Sequence, residues 1–159
     1  MNLWRHCPGP EWGAARFRVR YAETDAAGMV HHASHIVWFE EARSELSRRL
    51  GLPYAELEAR GVVLVVARVE ARYHAPARYD ESVEVWCRIR DVRSRTCAFD
   101  YRVIRSADGT LLATGATYHV AVDAATGRPT RLPEPFASTW RDGRPGETGR
   151  GTGRAGDEG

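Results

Sequence analysis

The chain has 159 residues, 43% of them apolar, and a formal net charge of +2. That size supports one domain with a real core, and the near-neutral balance, with no long block of like charge, excludes a nucleic-acid arm. Every basic side chain is Arg, with no Lys anywhere, which is read as genome composition rather than a partner signal.

Cys7, Cys87 and Cys97 are odd in number and contain no CxxC spacing. Neither a disulfide framework nor a zinc site is expected, and a reducing, cytoplasmic compartment is. The first twelve residues lack an apolar leader run, and no stretch approaches membrane-spanning length.

In chain order, residues 1–14 read as a loose lead-in containing Pro8, Gly9, Pro10 and Gly13. Arg16 to Ala22 alternates, with Phe17, Val19 and Tyr21 on one side and Arg16, Arg18 and Arg20 on the other, as a half-buried strand does. A small-residue loop around Asp25 and Gly28 follows. It leads into a helix from His32 or Ser34 to Leu50, striped by Ile36, Phe39, Ala42 or Arg43, Leu46 and Leu50. Arg48 and Arg49 suit the negative end of its dipole, and Gly51 suits the stop. Pro53 opens a short second helix from Tyr54 to Ala59, closed by Gly61.

Four strands are expected next, at Val62 to Tyr73, Ser82 to Val92, Thr96 to Arg105 and Thr110 to Val122. Short links between them, including Ser106-Ala107-Asp108-Gly109, imply antiparallel neighbours. One long helix against a five-stranded antiparallel sheet is an α+β fold. From Arg141 onward no large apolar residue occurs, so 139–159 is expected to be a disordered Gly/Arg-rich tail.

The Asp25 loop carries the chemistry. A carboxylate just before a helix start sits beside free backbone N–H donors, a pairing that suits attack on a carbonyl. By turn statistics alone such an Asp equally makes an Asx-turn or caps the helix. His31, His32 and His35 have helical spacing, but no acid or Cys sits at a zinc-site spacing, so no metal is expected. Tyr21 is either core, by strand alternation, or hydrogen-bonded in the site.

These residues together resemble the hotdog-fold acyl-CoA thioesterases, in the 4-hydroxybenzoyl-CoA and Tol-Pal-associated branch. The resemblance is carried by Val19 through His35, by Phe39-Glu40-Glu41-Ala42-Arg43, by Pro76-Ala77-Arg78-Tyr79-Asp80, and by Val122-Asp123 with Gly127-Arg128-Pro129. It covers 16–136 and implies one hotdog domain over 15–138, its five-stranded antiparallel sheet wrapped around the long helix. It also implies that Asp25 is the catalytic carboxylate, as nucleophile or general base. The backbone N–H at His32 would polarise the thioester carbonyl, and Tyr21 and His32 occupy positions implicated in some members. Gly28 would let the loop bend. The His32 ring is expected to orient Asp25 or to donate to the leaving thiolate.

Family members place each site at a subunit interface, so a homodimer or homotetramer is expected. Arg93-Ser94-Arg95, with Arg88, could contact the CoA phosphates through planar guanidinium forks. The implied reaction is hydrolysis of an acyl-CoA to free acid and CoA, without a cofactor. Alternatives are a thioesterase acting on an acyl-carrier protein and a non-catalytic acyl-binding module. Enoyl-CoA hydration is disfavoured, because Val30 stands where that chemistry needs a His.

Overall fold

The computed structural model describes residues 11–142. The sheet holds β1 (Gly13–Arg18), β2 (Val62–Tyr73), β3 (Ser82–Val92), β4 (Thr96–Arg105) and β5 (Leu111–Asp123). All pairings are antiparallel and the order is β1-β3-β4-β5-β2, so β1 and β2 are the edges. The helices are α1 (His32–Arg49), α2 (Tyr54–Ala59) and α3 (Phe136–Asp142). This is the expected hotdog arrangement, with α1 laid against one face of the sheet.

Local chemistry explains the limits of α1. The His31 ring Nδ1 accepts the Ala33 N–H at 3.1 Å and caps the start. At the far end Gly51, with φ +77°, donates to the Arg48 carbonyl and Leu52 donates to the Ser47 carbonyl. Those two bonds form a Schellman stop, and the left-handed backbone at Gly51 is why a glycine stands there. The same helix buries Trp38, Phe39, Ala42 and Leu46 against Val83, Val85, Tyr101 and Val103. Phe39 stacks on Tyr101 at 4.4 Å between centroids and reaches β5 because Gly115 has no side chain there. Truncating so central a ring to Ala costs about 3–5 kcal/mol.

Three expectations need correction. The first strand stops at Arg18, and Tyr21–Glu23 is a 3-10 turn. The Glu23 side chain reaches back to the Arg20 N–H and tightens the backbone there. Tyr21 is consequently 77% exposed and is no core residue. Second, the buried stripe of α1 runs through His35, Trp38, Phe39, Ala42, Arg43, Leu46 and Ser47, while Ile36 faces outward. Third, the ordered domain passes both expected ends. Trp12 packs with Trp86 and Ile104, and β1 begins at Gly13. Helix α3 runs to Asp142 and buries Trp140, beyond the expected limit at 138. Residues 1–10, with Cys7, and the tail from 143 lie outside the described residues.

Candidate active site

The Asp25 loop is a tight hairpin held at its base. Thr24 and Val30 form an isolated antiparallel bridge, and Asp25 N–H donates to the Met29 carbonyl at 2.8 Å. Gly28, at φ +76°, supplies the left-handed residue the turn requires. Asp25 Oδ1 accepts the Ala27 N–H at 2.9 Å and the Met29 N–H at 3.3 Å. These bonds are the Asx-turn that turn statistics foresee, and they fix the carboxylate in one orientation. Oδ2 has no protein donor among the described residues.

Glu23 moors this loop to the helix. Its carboxylate is buried and accepts from Arg20 N–H at 2.8 Å, from the Arg20 guanidinium at 2.7 Å and from Trp38 Nε1 at 3.0 Å. Its backbone carbonyl accepts the His31 N–H and the Ser34 hydroxyl. Burial alone would push the Glu23 carboxyl up. The bonds from Arg20 and Trp38 outweigh it and hold the group below the usual carboxylate range.

The start of α1 leaves one donor open. The Ala33 N–H is taken by the His31 ring and the Ser34 N–H by the His31 carbonyl. The His32 N–H has no acceptor among the described residues. It lies where the helix dipole favours negative charge. The Tyr73 hydroxyl donates to the His32 carbonyl at 2.8 Å and ties edge strand β2 to this point.

Other expected site residues stand apart. The exposed His32 ring stacks on His31 at 4.1 Å and makes no hydrogen bond to Asp25. Tyr21 packs edge-on against Tyr79 at 5.6 Å, and its hydroxyl has no hydrogen-bond partner among the described residues. Arg93, Ser94 and Arg95 form the β3–β4 turn, where Arg93 pairs with Asp91 at 2.9 Å. The Asp25 loop meets the other end of β3, since Val19 bonds Glu81 and Val30 bonds Ala77. A strand of that length spans about 33 Å, so one chain does not bring the turn and Asp25 together. Arg88 pairs with Asp100 and stacks on Trp12, on the sheet face away from α1.

Two residues escaped sequence reasoning. Glu23 reads as an ordinary loop acid, although Arg20 three residues earlier was a signal. Arg78 leans over the loop, its Nη1 3.9 Å from where a Gly28 side chain would begin. Among the described residues no three His, Cys, Asp or Glu gather as a metal site would require.

The same arrangement recurs in known proteins. The family model of the thioesterase-like superfamily matches residues 19–139. The chain belongs to the thioesterase-like superfamily. Thioester hydrolysis is therefore its reaction class. It is 34% identical over 124 residues to the acyl-CoA thioester hydrolase YbgC of Escherichia coli O6:H1, covering 78% of this chain and 92% of that one. It is also 34% identical over 119 residues to the acyl-CoA thioesterase YbgC of Haemophilus influenzae, covering 74% and 85%. Among solved structures, the hypothetical protein TT1821 from Thermus thermophilus superposes with a TM-score of 0.76 at 42% identity, over 80% of this chain and 96% of that one. The DHNA-CoA thioesterase from Staphylococcus aureus superposes at 0.75 with 28% identity, over 80% and 85%.

Proposed function

We propose that this member hydrolyses acyl-CoA thioesters to free acid and CoA, with Asp25 as the reacting carboxylate and the His32 N–H as oxyanion donor. The carrying observation is a carboxylate pinned through Oδ1, open at Oδ2, on a loop moored to the helix start whose His32 N–H is uncommitted. As nucleophile, Asp25 forms an acyl anhydride and expels the CoA thiolate, and water then cleaves the anhydride to acid and carboxylate. As general base, it takes a proton from water as that water attacks. The His32 N–H stabilises the oxyanion on either route.

Assays of wild type and Asp25→Asn against an acyl-CoA panel test the reading. Loss of turnover in the variant, by about 10²-fold or more, is expected. A wild type that cleaves no thioester, or a variant that matches it, overturns the reading. Single turnover in ¹⁸O-water tests for the anhydride, because label enters Asp25 only when an anhydride has formed and water attacks it at the Asp25 carbonyl.

The free edge of β2 supports assembly. Val65, Val66, Val69 and Tyr73 are exposed along it. An uncovered apolar edge invites a second strand. Two identical strands related by a two-fold axis pair antiparallel. Such pairing would carry the partner's β3–β4 turn to the Asp25 end of the sheet, where Arg93 of the partner subunit and Arg78 could meet CoA phosphates. A homodimer is thus the working unit of this proposal, and Arg78→Ala should raise KM for acyl-CoA with little change in kcat.

Carrier-protein thioesters are a second substrate class. A groove of about 530 Å³ on the sheet face away from α1 is lined by Arg72, Arg88, Arg90 and Arg102 against Glu70 and Asp100. That cationic excess suits an acidic carrier domain. Side-by-side assays with one acyl chain on CoA and on carrier protein decide between the two. Cys87 and Cys97 are free and buried, which suits a reducing, cytoplasmic setting.

A further inference from the structure

Away from the Asp25 loop, the protein holds a largely buried cation with no described acid to balance it. Arg43 is 9% exposed and forms no ion pair with any described carboxylate. Its guanidinium donates one hydrogen bond, from Nη1 to the Tyr101 hydroxyl at 3.0 Å. The cation also rests on the rings of Tyr54 at 5.9 Å and Phe99 at 6.0 Å. Ring faces offset part of the cost of burial, but the other N–H groups of the fork meet no protein acceptor among the described residues.

The neighbours add donors, not acceptors. Tyr101 accepts from Arg43, so its own hydrogen goes to Thr117 Oγ1 at 2.6 Å. Thr117 stands 2.8 Å from His119 Nε2. If every hydroxyl hydrogen is used, Thr117 donates to Nε2 and the neutral ring carries its proton on Nδ1. That Nδ1, the Tyr54 hydroxyl and Trp140 Nε1 are all buried with no hydrogen-bond partner. They belong to one cluster. Phe99 lies 5.3 Å from His119 and 5.9 Å from Trp140, and Tyr54 lies 6.0 Å from Trp140, between ring centroids. Four elements, α1, α2, β5 and α3, thus bring one cation and three unpartnered polar atoms into a single aromatic cluster.

We propose that this cluster is an internal binding site for a small monovalent anion such as a halide, held by Arg43 with Tyr54, His119 and Trp140. One anion would balance the guanidinium and accept from the orphaned donors at once, which neither a carboxylate-free core nor a neutral ligand achieves. The inference is independent of the thioesterase chemistry, because none of these residues touches the Asp25 loop.

The test uses the full chain and bromide as the probe. Crystals grown in bromide should show an anomalous peak within hydrogen-bond distance of Arg43, Tyr54 or Trp140. Melting temperature should rise with chloride or bromide, at constant ionic strength against gluconate, and approach linear growth in the logarithm of halide at high concentration. In Arg43→Met this halide response should vanish. An ordered water alone at the site, bromide only on the surface, or an identical response to every salt overturns the proposal. Should Arg43→Met fail to fold, the wild-type anomalous map decides alone.

Discussion

The indole nitrogen of Trp38 donates to the Glu23 carboxylate at 3.0 Å, joining the body of α1 to the loop that carries Asp25. A buried acid in that position acts as a mooring. Glu23→Gln loses the charge-assisted bonds to Arg20 while preserving shape. It should cost about 1–3 kcal/mol in stability by denaturant melts and lower kcat. The pH dependence has a definite sign. Because the folded Glu23 pKa is lowered, its stabilisation is present above the unfolded value near 4.5 and is lost as pH falls through the folded value. The gap between wild type and Glu23→Gln should therefore close at acid pH. An equal gap at pH 7 and pH 3 would contradict the mooring.

His35 and His119 share this sign of pH dependence, although protonation gives them a charge rather than removing one. Burial lowers His35 to about 4, and burial with the nearby Arg43 charge lowers His119 to about 3. Both are neutral in the fold and protonate readily once unfolded. Stability should be full above the unfolded value of 6.5 and decline as pH falls from there toward 4 and below. Melting temperature against pH measures this slope, and His35→Phe should flatten part of it.

Gly115 marks the closest approach of helix and sheet. A Cβ there would stand 2.5 Å from the Phe39 ring and 2.8 Å from the Glu70 carbonyl. Gly115→Ala should therefore destabilise by about 1–3 kcal/mol through overpacking. A combined Gly115→Ala, Phe39→Leu protein should regain part of that loss, which calorimetry would detect.

His32 separates backbone from side-chain chemistry. His32→Ala keeps the N–H, so turnover should fall by less than about tenfold, against about 10²-fold or more for Asp25→Asn. A comparable loss in both would assign the chemistry to the ring.

The β2 edge can be blunted. Val69→Arg places a charge on the exposed apolar edge and should yield a monomer by light scattering, with lowered activity. A dimer of unchanged activity would refute edge pairing through β2.

Much of this fold was legible because period-two alternation and turn residues are local signals. Ser82–Val92 and Thr96–Arg105 match their expected limits, and Gly51 stops α1 through a local motif. Strand order was not legible, since the pairing of β5 with β2 depends on contacts distant in sequence. Glu23 and Arg43 were obscured for a related reason. Charged residues are ordinarily solvated, and only the packed neighbours reveal that these two are buried. Tyr21 followed its alternation on paper, yet the 3-10 turn over Tyr21–Glu23 breaks the strand and leaves it exposed. At the site, the loop carboxylate and the helix start were readable, whereas residues expected from the β3–β4 turn belong to the far end of the same chain.

The bond from the Tyr73 hydroxyl to the His32 carbonyl has one more consequence. It ties the free edge of the sheet to the residue whose N–H is the proposed oxyanion donor. On that proposal, holding the edge should also hold the His32 N–H, and by linkage occupation of the proposed site should favour a paired edge. Substrate should then drive subunits together, and dilution should weaken apparent substrate affinity before it unfolds anything.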